Sequence, residues 1–226
     1  MTLADQPLPA SPPAGTGRRV SCLLAVLLLV VAAAAAALWL LGRPRLRFTN
    51  RLAAPVRLAV GEATRTVAPG ETAVLAVPRG TTLVAEWSLV RPLSADGQPM
   101  GEPVEGSLVL RGPRGTVSDS ADTVDGATNW FAPLITNGTA GPLRVTVNAG
   151  LAGALDCGCA VRAGGKRVFI GYYRLYGNST VEARGSAGVA TFPQLGAQVT
   201  SRNGTVGLRF SEGDLRPRPM APAAAR

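Results

Sequence analysis

The chain has 226 residues and a formal net charge of +9, with 23 lysines and arginines, 14 carboxylates and no histidine. Hydrophobic residues make up 46% of the chain and charged residues 16%, which excludes a wholly disordered protein. Without histidine the chain lacks the usual general base and the commonest metal ligand, so the composition disfavours an enzyme, a metal site and a cofactor.

The first predicted elements are a tail and a membrane anchor. Residues 1–19 are rich in proline and small side chains, and we expect this tail to be disordered. Residues 20–41 (VSCLLAVLLLVVAAAAAALWLL) contain no charge, proline or glycine, and as a helix they would be roughly 33 Å long. That length predicts a transmembrane helix. The alternative is a cleaved signal peptide, which the apolar residues 38–41 disfavour because they follow the alanine run that would hold the cleavage site.

The orientation of this anchor is ambiguous. Arg43, Arg45, Arg47 and Arg51 follow the helix, and by the positive-inside rule they favour a cytoplasmic C-terminal region. An anchor followed by a β-region is nevertheless the usual plan of an exported protein. We therefore expect a single-pass protein of the cell (inner) membrane with an extracytoplasmic C-terminal region, and a cytoplasmic adaptor is the alternative.

An internal repeat organises the rest of the chain. FTNRLAAPVRLAV at 48–60 matches ITNGTAGPLRVTV at 135–147 with a constant offset of 87 residues. VAPGETAVL at 67–75 matches VRAGGKRVF at 161–169 with an offset of 94, so the second copy carries seven additional residues between the two blocks. Each copy contains an alternating strand pattern with arginine on the polar face, at 56–60 and at 143–147.

Short strands separated by glycine and proline turns predict an all-β region of sandwich-like modules. We expect two tandem β-domains at 44–112 and 131–212, with final strands at 108–110 and 206–210. A linker rich in serine, threonine, aspartate and glycine is expected at 113–130, and a disordered tail at 213–226. The pattern loosely resembles the immunoglobulin-like or PEGA-like β-modules of bacterial envelope proteins.

Cys157 and Cys159 form the most distinctive local motif, CGC, within the additional residues of the second copy. Two thiolates two residues apart on a strand point the same way, which suits a soft metal or thiol-redox chemistry. A tight disulfide is a further alternative, with awkward geometry. The simplest interpretation is that both are small residues in a turn or strand.

Aromatic residues are concentrated in the second copy. Tyr172, Tyr173, Arg174 and Tyr176 lie in the segment GYYRLYG at 171–177, and such a group suits contact with a protein or glycan. An equally good alternative places these tyrosines in the core of a small β-domain.

Two weaker patterns have simpler interpretations. Asp119, Asp122 and Asp125 do not follow the spacing of an EF-hand and fit a solvated linker better than a calcium site. The sequons at Asn137, Asn178 and Asn203 are glycan acceptors only in a eukaryotic secretory protein, and Asn-Gly is also an ordinary turn.

The basic residues are dispersed from Arg18 to Arg226, whereas a nucleic-acid-binding surface would concentrate them. We therefore expect no nucleic-acid partner. The sequence favours a non-catalytic, membrane-anchored envelope protein whose β-modules bind or position a protein or glycan partner at the membrane surface. The alternative is a thiol-redox or metal-binding membrane protein using Cys157 and Cys159.

Overall fold

The computed structural model describes residues 16–41, 44–78, 82–111, 115–125, 128–151 and 155–217. In these residues the structure has one α-helix, α1, which runs from Thr16 to Leu41 and so begins four residues before the predicted membrane segment. Its described side chains, at 24–36, are all exposed. Among the described residues, no helix combines the length and the apolar character that crossing a membrane requires.

The remaining regular structure is almost entirely β, which confirms the all-β prediction for the C-terminal region. Residues from Pro44 onward form one compact unit. The strands are β1 (Arg45–Asn50), β2 (Val56–Val60), β3 (Ala63–Val67), β4 (Thr72–Ala76), β5 (Thr82–Leu89), β6 (Glu105–Arg111), β7 (Thr116–Ala121), β8 (Val124–Asp125), β9 (Thr128–Asn137), β10 (Leu143–Val147), β11 (Leu155–Val161), β12 (Val168–Phe169), β13 (Tyr173–Arg174), β14 (Val181–Gly185), β15 (Gly188–Phe192) and β16 (Thr205–Phe210).

The strands β1 to β7, which we call repeat 1, form two sheets. One sheet has the order β4-β1-β7, with β4 antiparallel and β7 parallel to β1. The other has the order β3-β2-β5-β6 and is antiparallel throughout. Their inward side chains share one hydrophobic core, to which Phe48 and Leu58 contribute fully buried side chains.

The strands β9 to β16, which we call repeat 2, reproduce this topology. β9 pairs with β12 antiparallel and with β16 parallel, as β1 does with β4 and β7. The second sheet has the order β11-β10-β14-β15, which corresponds to β3-β2-β5-β6. The short strands β8 and β13 pair with the first half of β9 and are the additions to this common plan.

The two alternating strands have the same burial pattern. In both β2 and β10 the first, third and fifth side chains are buried, whereas Arg57 and Arg144 at the second position are exposed. Period-two alternation places successive side chains on opposite faces of the sheet. The prediction of half-buried strands at both positions is confirmed.

A buried asparagine at the end of the first strand closes the same loop in both repeats. The Asn50 amide donates to the carbonyls of Ala54 and Val67, both at 2.9 Å, and its oxygen accepts from the Leu52 amide at 2.9 Å. Asn137 donates to Gly141 at 2.9 Å and to Val161 at 2.7 Å. Buried backbone groups need such partners, so the repeated Thr-Asn motif has a structural cause.

Two predicted boundaries are wrong. The predicted linker at 113–130 contains β7, β8 and the beginning of β9, and β7, rather than 108–110, is the closing strand that corresponds to β16. The tail predicted from residue 213 is ordered to Pro217: Leu215 is buried, and Arg216 exchanges two backbone hydrogen bonds with Val189. Polar edge strands gain their stability from backbone pairing, which leaves little hydrophobic pattern in the sequence.

Candidate functional site

The two repeats are in direct contact through a buried tyrosine. The Tyr172 hydroxyl accepts a hydrogen bond from the Ala53 amide of repeat 1 and donates one to the Asn203 carbonyl of repeat 2, both at 2.7 Å. Tyr172, Trp130 and Ala132 belong to the same hydrophobic cluster as the core of repeat 1. Burial raises the pKa of Tyr172 to about 12, because the phenolate would lose its hydration.

The loop between β5 and β6 forms a second contact at this junction. The Glu102 amide donates to the Tyr172 carbonyl at 2.8 Å, and the Glu102 carboxylate accepts from the Arg174 amide at 3.0 Å. That carboxylate also lies 3.3 Å from the Arg174 guanidinium, which sits 5.8 Å from the ring centroid of Trp130. Backbone and side-chain contacts therefore hold the loop against repeat 2.

Two glycines allow this close approach. A Cβ atom on Gly101 would lie 2.9 Å from the Gly171 Cα, and one on Gly171 would lie 2.7 Å from the Gly101 Cα. Both also have positive φ, at 78° and 106° respectively, a conformation that costs other residues free energy. Neither position has room for a side chain.

An open cleft of about 820 Å³, lined mostly by polar residues, lies beside the junction, and we call it the junction cleft. Its volume is in the range of pockets that hold small ligands. Its walls come from four separate segments of the chain, three in or next to repeat 1 and one in repeat 2. The lining residues are Thr49, Asn50, Arg51, Gly70, Asp122, Thr123, Val124, Ser201, Arg202 and Asn203.

The charged groups of the junction cleft are two arginines and one aspartate. Arg51 pairs with Asp122 at 3.1 Å, and the Thr123 amide donates to the same carboxylate at 2.7 Å. Arg202 is exposed and forms no ion pair with the residues that the structure describes. The charged side chains of the cleft thus carry one net positive charge.

A second cleft, of about 590 Å³, lies on the β2-β5-β6 sheet of repeat 1. The lining residues are the charged Arg57, Glu86 and Glu105, the aromatic Trp87, and the small Ala59, Ser88, Gly106 and Ser107. This surface belongs to one repeat only and carries the opposite net charge.

The structure separates the four residues predicted to form a contact surface. Tyr172 and Tyr173 are fully buried, the first in the core of repeat 1 and the second in that of repeat 2. Arg174 is exposed, and Tyr176 is 38% exposed. For Tyr172 and Tyr173 the surface interpretation is wrong and the core alternative is correct, because neighbouring residues on an extended segment point to opposite sides.

Cys157 is disulfide-bonded and 7% exposed, whereas the side chain of Cys159 lies outside the described residues. The CGC motif lies where β11 leaves regular register with β10: Ala160 pairs with Arg144, but Asp156 pairs with Thr146. Four steps along β11 thus oppose two along β10, which is a bulge. No group of three or more metal-ligating side chains occurs in the part of the chain that was described.

Asn137 and Asp122, one residue from each of the two weaker motifs, have structural partners. Asn137 is buried, and its amide nitrogen is committed to two carbonyls, so turn chemistry explains this sequon. Asp119 lies in β7 and Asp122 pairs with Arg51, while the side chain of Asp125 is outside the described residues.

Sequence reasoning missed the junction cleft. Arg51 lies in the repeated segment 48–60, but no motif links it to Arg202, which is 151 positions away in the chain. The chain matches no protein-family model, and no curated protein is significantly similar to it.

Proposed function

We propose that this chain is a single-pass, membrane-anchored envelope protein that binds or positions a partner at the membrane surface without catalysis. Its two repeats act as tandem sandwich-like β-modules. The junction cleft is the observation that carries the proposal, because it is a sizeable concavity, lined mostly by polar residues, that both repeats build jointly. A cleft assembled from two modules gives the duplication a role that a single module does not have.

The membrane anchor is supported by the chemistry of the amino-terminal segment. Residues 20–41 contain no charged side chain, and α1 continues through them without a break. The large apolar side chains from Leu24 to Val31 are between 56% and 73% exposed. A row of exposed leucines and valines is unfavourable in water and favourable in lipid.

An extracytoplasmic location is supported by Cys157. Disulfides persist in oxidising compartments and are rare in the cytosol. A disulfide-bonded cysteine in the β-region therefore favours the exported orientation over the cytoplasmic one. A sulfur atom held in a disulfide is also unavailable as a thiolate ligand, which disfavours the metal-binding alternative.

Membrane topology provides the main test. Single cysteines are introduced by Ser11→Cys in the tail and by Ser118→Cys on the exposed face of β7. Cells with the outer surface opened and the inner membrane intact are treated with a membrane-impermeant maleimide. We expect Ser118→Cys to react before lysis and Ser11→Cys only after it, with the wild-type chain reporting the background from native cysteines.

Three outcomes would contradict the proposal. The reverse labelling pattern would place the β-region in the cytoplasm and make the chain a cytoplasmic adaptor. Recovery of the full-length chain in the soluble fraction would show that residues 20–41 do not anchor it in a membrane. A loss of partner binding on Cys157→Ala, with the fold intact, would instead favour the thiol-redox alternative.

A further inference from the structure

We propose that the junction cleft binds an acidic peptide segment, through its two arginines. This inference rests on the proposed function, since it names the chemistry of the partner. A planar guanidinium donates two parallel hydrogen bonds to a carboxylate, so arginine suits recognition of glutamate and aspartate side chains. Arg202 supplies such a group without an internal ion pair among the described residues.

Arg51 supplies the second guanidinium by exchanging its partner. Its side chain is 61% exposed and its pair with Asp122 is open to solvent. An exposed ion pair contributes about 0–1 kcal/mol, so an incoming carboxylate competes with Asp122 at little cost. The Thr123 amide remains hydrogen-bonded to Asp122 during such an exchange and holds the aspartate in place.

The other lining groups favour a peptide over a glycan. None of the residues described as lining the cleft is aromatic, whereas sugar rings pack their C–H faces on aromatic side chains. Val124, an apolar side chain that is 59% exposed, offers a contact for an aliphatic side chain next to the acidic one. The hydroxyls of Thr49 and Ser201 and the side-chain oxygen of Asn203 are hydrogen-bonded to Thr72 and Thr205. The Asn203 amide nitrogen, which none of the described hydrogen bonds uses, suits a peptide carbonyl.

The cleft is held open by buried hydrogen bonds on both sides. On the repeat 1 side, the Asn50 side chain bridges the Ala54 and Val67 carbonyls. On the repeat 2 side, the Tyr172 hydroxyl holds the Asn203 carbonyl. Walls that are ordered before binding reduce the entropy lost when a ligand is captured.

The test uses the full-length protein in detergent micelles. The probe is a fluorescein-labelled hexapeptide of alternating glutamate and leucine, and the same peptide with glutamine in place of glutamate is its neutral control. Fluorescence anisotropy is measured at about 150 mM salt, where interactions between distant charges are screened. We expect the acidic peptide to bind and the glutamine peptide to bind at least roughly tenfold more weakly.

Variants that are expected to change the affinity in opposite directions distinguish a specific site from general charge attraction most sharply. Arg202→Gln should weaken binding roughly fivefold or more, whereas Arg162→Gln, an equal charge change at an exposed site outside the cleft, should change it less than about twofold. Asp122→Asn should tighten binding roughly threefold, because it frees Arg51 and removes a negative charge that repels the carboxylates of the peptide. A variant that merely misfolds does not gain affinity.

Three results would overturn the inference. Equal losses in Arg202→Gln and Arg162→Gln would show that a basic protein attracts acidic peptides without a site. An unchanged or weaker affinity in Asp122→Asn would remove Arg51 from the interaction. If a sulfated oligosaccharide bound more tightly than the acidic peptide, and its binding depended on Arg202, the cleft would be a glycan site. Because binding in micelles does not depend on orientation, its failure is distinct from a failure of the topology test.

Discussion

Repeat 1 and repeat 2 share every strand pairing of a common plan, yet they differ in their edge strands. β3 pairs with β2 in uninterrupted register, whereas β11 bulges away from β10 at the CGC motif. The central strands β2 and β10 keep the same burial pattern. An edge strand has only one partner, so the two additional residues of β11 disrupt one ladder and leave the core in place.

The outer sheet faces differ in charge at equivalent positions. Ser88 and Glu105 oppose one another across β5 and β6, and the corresponding pair across β14 and β15 is Arg184 and Val189. Both differences make repeat 2 more positive. The comparison shows that buried positions preserve the common fold, while this outer cross-strand pair has diverged in charge.

The largest losses of stability are expected when either of the two equivalent buried asparagines, Asn50 or Asn137, is replaced. Asn50→Ala and Asn137→Ala should each lower the free energy of unfolding by roughly 2–4 kcal/mol, because each leaves buried backbone carbonyls without a donor. Chemical denaturation measures both. The exposed Asn129→Ala variant is the control and should change stability by less than about 0.5 kcal/mol. If only one of the two replacements caused a small loss of stability, the two asparagines would not be structurally equivalent.

The contact between the repeats is tested by two glycines in one loop. Gly101 and Gly97 have nearly equal φ angles of 78° and 75°, but only Gly101 lies against repeat 2. Gly97→Ala should cost about 1 kcal/mol from backbone strain, and Gly101→Ala a further 1–2 kcal/mol, roughly, from the clash with Gly171. Thermal unfolding compares the two. Equal losses would mean that the loop does not pack as described.

Tyr172→Phe should cost roughly 1–3 kcal/mol at neutral pH, because it leaves the Ala53 amide and the Asn203 carbonyl without their partner. The raised pKa of Tyr172 adds a pH dependence. The hydroxyl of Tyr172 contributes its full stabilisation below about pH 10, the pKa in the unfolded chain. This contribution is lost as the pH rises through about 12, the pKa in the folded protein.

The measurement is denaturation between about pH 9 and pH 12, where the wild-type chain should lose on the order of 2 kcal/mol more than Tyr172→Phe does. Tyr176→Phe, at a partly exposed tyrosine, is the matched control and should behave as the wild type. Parallel pH profiles for wild type and Tyr172→Phe would contradict the buried bridge.

The smallest change in stability is expected when two residues of the outer sheet face of repeat 1 are replaced by their counterparts in repeat 2. Ser88→Arg with Glu105→Val gives repeat 1 the residues of repeat 2, and both sites lie on a surface that faces solvent. Stability should change by less than about 0.5 kcal/mol, as measured by chemical denaturation. A larger change would show that this face has packing partners, and the two repeats would then differ in more than surface charge.

The strand patterns were predictable where burial is one-sided, as in β2 and β10. Residues such as Leu58 and Val145 alternate with exposed arginines, and alternation is visible in the sequence. The polar strand β7 was not predicted, because its parallel pairing with β1 depends on residues more than 60 positions away. The roles of Tyr172 and Tyr173 were open for the same reason, since aromatic residues suit both a core and a surface.

The sequence by itself determined the repeat, the β-character of its two halves and the apolar segment before them, because these depend on local alternation and on similarity at a constant offset. Only the tertiary structure decided that the repeats pack together, that Tyr172 joins them, and that Arg51 and Arg202 share one cleft. The physical reason is that hydrogen bonds and ion pairs between distant segments require no pattern along the chain. They form where backbone pairing brings the segments together.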